Sequence, residues 1–138
     1  MDFNQQVIEE FRANGGTVTT AGFGRSLLLV HHTGARSGTE RITPLFAIPT
    51  DDGWLVAASA AGADRHPAWY GNLLAHPDTV VEHPDSGEVA VRAVDLQGED
   101  RDAAWARFLA ASPGFASYEA KTSRRIPVLE LRVQAGGA

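Results

Sequence analysis

Cysteine is absent from the 138 residues, which excludes a disulfide framework, a zinc-thiolate centre, an iron-sulfur cluster and a cysteine nucleophile. Lysine is nearly absent too, since eleven of the twelve basic residues are Arg and only Lys121 is Lys. Seventeen acidic residues leave a net charge of -5, so there is no bulk positive charge for nucleic acid, and any anion must be held by a local cluster. No run approaches the roughly 20 apolar residues of a membrane span. The start Met1-Asp2-Phe3-Asn4 lacks the basic and apolar regions of a secretory signal, and the expectation is a cytoplasmic protein. No His, Asp or Glu spacing matches a helix-borne metal pair, three of the five histidines precede proline, and no serine sits in a nucleophile elbow. No metal site is therefore expected.

What is present is a pattern of short elements. Asp2 can cap a helix in which Phe3, Val7, Ile8 and Phe11 share one stripe, and Asn14-Gly15-Gly16 ends it. With Glu9 and Glu10 on its polar side, this helix lacks the basic face that favours a lipid surface, so it is expected to pack on its own domain. Three β-type runs follow at 26–32, 41–48 and 54–58, separated by Gly-rich or Asp-Gly turns. A short helix is predicted between His66-Pro67 and His76-Pro77, then a hairpin of 79–82 and 89–96 across Asp85-Ser86-Gly87. Helices near 99–111 and 114–120 and a strand over 128–133 complete the chain, with a loose tail at 134–138. Links between the first three strands are too short for crossover helices, so the expected fold is α+β, one domain over 1–138 built on a six-stranded antiparallel barrel-like sheet with flanking helices.

Two segments carry chemistry. Thr33-Gly34-Ala35-Arg36-Ser37-Gly38, with Arg41 just beyond, joins two strands and combines a tight backbone, a hydroxyl and two forked cations, a set that suits a phosphate. The same residues also fit an ordinary polar hairpin loop, and they match neither the P-loop nor the dinucleotide pattern. The second segment runs from Ala57 to Asn72. Its small residues would let a flat ring approach the backbone, with Ser59 and Asn72 as polar contacts, Arg65 as a third cation, and Trp69 as either a stacking wall or a core residue.

These two segments, in this order with the ending Arg124-Arg125-Ile126-Pro127-Val128-Leu129-Glu130, resemble the deazaflavin-dependent nitroreductase family, and the likeness runs from Ile8 nearly to the end. The resemblance implies a split β-barrel of the FMN-binding type that uses coenzyme F-420 to reduce quinones, enone-like or nitro acceptors. It implies that Arg36, Ser37, Gly38 and Arg41 hold the cofactor phosphate and that Arg65 meets its acidic tail. Pro44, Ala57, Ser59, Trp69 and Asn72 would surround the ring system, and Tyr118 with Ser59 would touch the reacting centre. Phe46, Ser112 and Phe115 stand where family nitroreductases carry tyrosines, and a Phe packs without donating a proton, which speaks against reduction of bulky nitro compounds. An FMN-binding barrel and a non-catalytic deazaflavin carrier are the alternatives that the residues leave open.

Overall fold

The computed structural model describes residues 2–134. Helix α1 (Phe3–Ala13) starts at the expected cap, where the Asp2 side chain accepts a hydrogen bond from the Gln5 amide at 2.7 Å. Seven strands follow: β1 (Leu27–Thr33), β2 (Glu40–Phe46), β3 (Ile48–Pro49), β4 (Gly53–Ala57), β5 (Asp78–His83), β6 (Gly87–Asp95) and β7 (Val128–Val133). Helix α2 (Ala68–Ala75) lies between β4 and β5, and α3 (Gly98–Ala111) and α4 (Pro113–Ala120) precede β7. Every pairing is antiparallel, in the order β2-β1-β5-β6-β7-β4-β3.

The run expected as one strand over 41–48 is two strands, which raises the count from six to seven. Phe46 pairs with Leu27 in β1, whereas Ile48 pairs with Leu55 in β4, at the opposite edge of the sheet. Ala47 alone joins them. Because the first and last strands in the order are separated by one residue, the two edges must meet there, and the sheet curls into a split barrel. The apolar pattern continues through such a crossing, so nothing in the sequence marked the change of partner.

Burial on both faces explains the unbroken apolar run in β1. Leu28 and Val30 point into the barrel with Val56, Val81, Val91, Leu129 and Leu131, while Leu27 and Leu29 pack outward against Val7 and Phe11 of α1. On the far side, Trp105 and Phe108 of α3 cover Leu55 and Val128. Helix α2 inserts Trp69 and Leu73 among the inward-facing residues and so plugs one end of the barrel. The last described residue, Gln134, is tied to β6 through its amide to the Ala90 carbonyl and its side chain to the Val91 carbonyl. Residues 135–138 of the expected loose tail lie outside the described residues. No described helix is long and apolar enough to cross a membrane.

Candidate active site

The β1–β2 loop is built to leave donors free. Its ends are closed by the Gly34 amide to the Thr39 carbonyl and the Gly38 amide to the Gly34 carbonyl, both at 2.9 Å. A side chain at position 34 would place its Cβ 2.4 Å from Ser37 Oγ and force that hydroxyl to turn away, and Gly38 sits at φ +70°, a conformation that favours glycine. The Ala35 amide donates to Asn72 Oδ1 at 2.9 Å, and the Thr39 amide to Ser37 Oγ at 3.2 Å. Among the described residues, the amides of Arg36 and Ser37 make no hydrogen bond. Arg12, Arg25, Arg92, Arg101, Arg125 and Arg132 all pair with carboxylates, whereas Arg36, Arg41 and Arg65 are exposed and have no ion pair among the described residues. In an acidic chain, the unpaired Arg36 and Arg41 beside free loop amides form a candidate anion site, and Arg65, exposed just ahead of α2, is a further unpaired cation among the described residues.

Beside this hairpin lies a cavity of about 400 Å³ walled by Pro44 and Phe46 of β2, Ala57 at the end of β4, Ser59 and Ala61 beyond it, and Ser112, Phe115 and Tyr118 at α4. It brings together Pro44, Ala57, Ser59 and Tyr118 of the residues expected at the ring and reacting centre, and gathers Phe46, Ser112 and Phe115 with them. Phe115 stands between Phe46, Phe108 and Tyr118 at ring-centroid distances of 5.7, 5.1 and 5.8 Å, which dries that wall. The Tyr118 hydroxyl makes no hydrogen bond among the described residues, so it is open to the cavity's contents.

The floor between Ser59 and Ala63 is strained. Ala60 and Ala61 hold φ of 45° and 53° ahead of Gly62 at 83°, a left-handed stretch that costs roughly 1–2 kcal/mol for each alanine. Arg124 holds both of its ends, donating to the carbonyls of Ala58, Ser59 and Ala63 at 3.1, 2.9 and 2.8 Å and to His66 Nδ1 at 2.9 Å. A Cβ on Gly62 would lie 2.9 Å from the Tyr118 carbonyl, so this arch also sets the height of α4. Arg124 is a supporting residue of the candidate site that reasoning from the sequence missed. Its position in the Arg124–Glu130 ending was visible, but its carbonyl partners lie more than sixty residues upstream.

Glu10 does for the opposite wall what Arg124 does for the floor. Its carboxylate accepts from the amides and hydroxyls of Thr19 and Thr20, just before Gly22 and Phe23 enter the cavity lining. Those four bonds, the Thr19 hydroxyl foremost, lower its pKa from 4.5 to about 2. A depressed carboxylate pKa stabilises the fold above 4.5 and loses that effect as pH falls towards 2. Glu10→Gln is therefore expected to melt lower than the wild type at neutral pH, with the gap closing in acid. A melting-temperature gap that stays constant with pH would contradict this.

Two expected contacts are placed differently. Trp69 is 6% exposed and sits in the barrel core beside α2's Leu73, so it supports the site from beneath and offers no free ring face; an apolar ring on the inward face of a plugging helix is drawn to the core. Asn72 is also buried, and both ends of its amide are used within the fold. It steadies the loop through Ala35.

An antiparallel sheet curled into a split barrel, with a partly apolar cavity against β2 and α4 and an arginine-bearing β1–β2 loop, is the architecture of the deazaflavin-dependent reductases. The sequence profile of the F420H(2)-dependent quinone reductase family matches residues 4–132, and the chain belongs to that family. A Mycobacterium tuberculosis protein provisionally named for that activity is 37% identical over 114 residues, 81% of this chain and 95% of the relative. A second protein from that species, named F420H(2)-dependent quinone reductase, is 34% identical over 75% of this chain and 71% of its own. Among solved structures, an F420-H2 dependent reductase, FDR-A, aligns with a TM-score of 0.71 at 35% identity, covering 78% of this chain and 95% of that one. A domain-swapped dimer aligns at 0.72 and 33% identity, covering 93% and 98%.

Proposed function

We propose that this chain transfers hydride from reduced coenzyme F-420 to a quinone, with the cofactor's anionic part on the β1–β2 loop and the acceptor in the cavity under Tyr118. The observation that carries this reading is that Arg36, Arg41 and Arg65, without ion pairs among the described residues, occur in the same domain as a cavity walled by Pro44, Ala57 and an aromatic cluster. When bound, the reduced deazaflavin supplies a two-electron hydride. Arg36, Arg41 and the Ser37 hydroxyl would hold its phosphate, and Arg65 would meet its acidic tail. Pro44 and Ala57 would line the ring, while Phe46 and Phe115 would keep water from the reacting atoms. As negative charge develops on the quinone oxygen, the Tyr118 hydroxyl donates to it, with Ser59 as a second donor from the floor. The proposal includes one deazaflavin-binding domain over 1–138, a cytoplasmic setting and a small-molecule acceptor as partner.

The test is a titration with reduced and oxidised F-420 followed by Trp fluorescence, then steady-state turnover with a menadione-like quinone. Saturable binding and turnover are expected, and tight binding without turnover on any quinone would reject the catalytic assignment. Tyr118→Phe should lower kcat by about tenfold, the worth of one hydrogen bond to a developing charge, with F-420 affinity unchanged. A kcat equal to the wild type would mean that Tyr118 only packs.

A further inference from the structure

The buried chain of hydrogen bonds behind the anion loop admits only one protonation state. The Ala35 amide can only donate, so the Asn72 oxygen, 2.9 Å away, must face it. That turns the Asn72 amino group towards His32 Nδ1 at 3.0 Å, which must then be a lone pair. The proton of neutral His32 is left on Nε2, where it donates to Thr43 Oγ1 at 2.9 Å. Both side chains are buried, with His32 4% and Asn72 8% exposed, so the His32–Asn72 bond itself lies out of water.

A second proton on His32 has nowhere to go. Placed on Nδ1, it meets the Asn72 amino group head on. Turning the Asn72 amide over would accept that proton, but it would then set the amino group against the Ala35 amide. Either way one bond of the chain breaks, and the nearest consequence is release of Ala35 from α2. We propose that Asn72 and His32 are positioning residues that hold the Thr33–Gly38 loop in its anion-binding shape, through the Ala35 amide, only while His32 is neutral. This rests on the assignment of that loop to the cofactor phosphate.

The surroundings keep His32 neutral at ordinary pH. Burial is the first cause of its lowered pKa, followed by the charge of Arg41 on β2 and then His31 on β1. Helix α2 presents Asn72 and no charged group, since its one phenol, Tyr70, has its hydroxyl on Asp95 at 2.7 Å. Among the described residues, no carboxylate bonds the ring to draw the second proton.

The discriminating variant is Asn72→Asp. A carboxylate of the same shape accepts from the Ala35 amide and from His32 Nδ1–H in either charge state, with Thr43 donating to Nε2 when the ring is neutral. The ratio of wild-type to Asn72→Asp dissociation constants for F-420 cancels the titration of the ligand itself. It is expected to rise by about fivefold to tenfold between about pH 7.5 and the acid pH at which nitrogen NMR shows the His32 ring doubly protonated, the worth of one buried hydrogen bond. Nitrogen NMR of the free protein should show His32 as the Nε2–H tautomer, with the Ala35 amide protected from exchange at neutral pH and unprotected in acid. A flat ratio, or an Nδ1–H tautomer, would overturn the proposal. If Arg36→Ala and Arg41→Ala leave affinity unchanged while the tautomer and exchange results hold, the phosphate assignment fails and the His32 device stands as a loop anchor of another site.

Discussion

Replacing Arg36 and Arg41 together by alanine is expected to weaken F-420 binding by about a hundredfold or more, because two charge-assisted hydrogen bonds of roughly 1.5 kcal/mol or more each are removed. Both side chains are exposed and neither belongs to an ion pair among the described residues, so their loss takes little from the fold. Unchanged thermal stability should accompany the lost affinity. His31→Ala is the control. That ring points away from His32 to Glu82, 2.7 Å from its carboxylate, and its removal should leave F-420 affinity as it was. Salt should weaken wild-type binding more than binding by the double variant, since exposed cations are screened. Equal affinities for wild type and double variant in a fluorescence titration would move the cofactor phosphate elsewhere.

Arg124→Ala should lower kcat/KM for quinone by about a hundredfold and destabilise the chain by about 2 kcal/mol, the lower range for several hydrogen bonds from a partly exposed cation. The guanidinium joins Ala58 and Ser59 before the left-handed stretch to Ala63 after it. Without it, Ala60 and Ala61 are free to relax to ordinary φ, and the arch that supports Tyr118 through Gly62 shifts. Arg124→Lys should recover little, because an ammonium cannot fork to three carbonyls and an imidazole at once. Adding Ala61→Gly to Arg124→Ala removes part of the strain that drives the relaxation, and should restore part of the rate. If Arg124→Ala keeps full turnover while melting lower, the arch serves stability and does not position Tyr118.

The sequence by itself determined the antiparallel character and the order of the elements except the division of 41–48 into β2 and β3, and it marked two candidate ligand segments. Asp2, the proline-bounded helix and the Asp85-Ser86-Gly87 turn act through local backbone preference, which a short window of sequence contains. The crossing of the chain from β2 to β3 at Ala47 was not legible, since a strand's pattern records which face is buried and not which strand lies beside it. Trp69 shows the same limit from the side of function: its spacing allowed a wall or a core, and only the placement of α2 inside the barrel decided for the core. The absence of cysteine and the scarcity of lysine narrowed the chemistry to arginine, hydroxyl and phenol groups, and loop position marked Arg36, Arg41 and Arg65 as candidate cations. What the sequence could not say is whether they are free: the other arginines find carboxylates or carbonyls when the chain folds, and among the described residues these three find no carboxylate. Pairing is a property of distance in space, so only the tertiary structure could decide it, and only the tertiary structure brings Arg124 to the Ala58–Ala63 arch and His32 to Asn72.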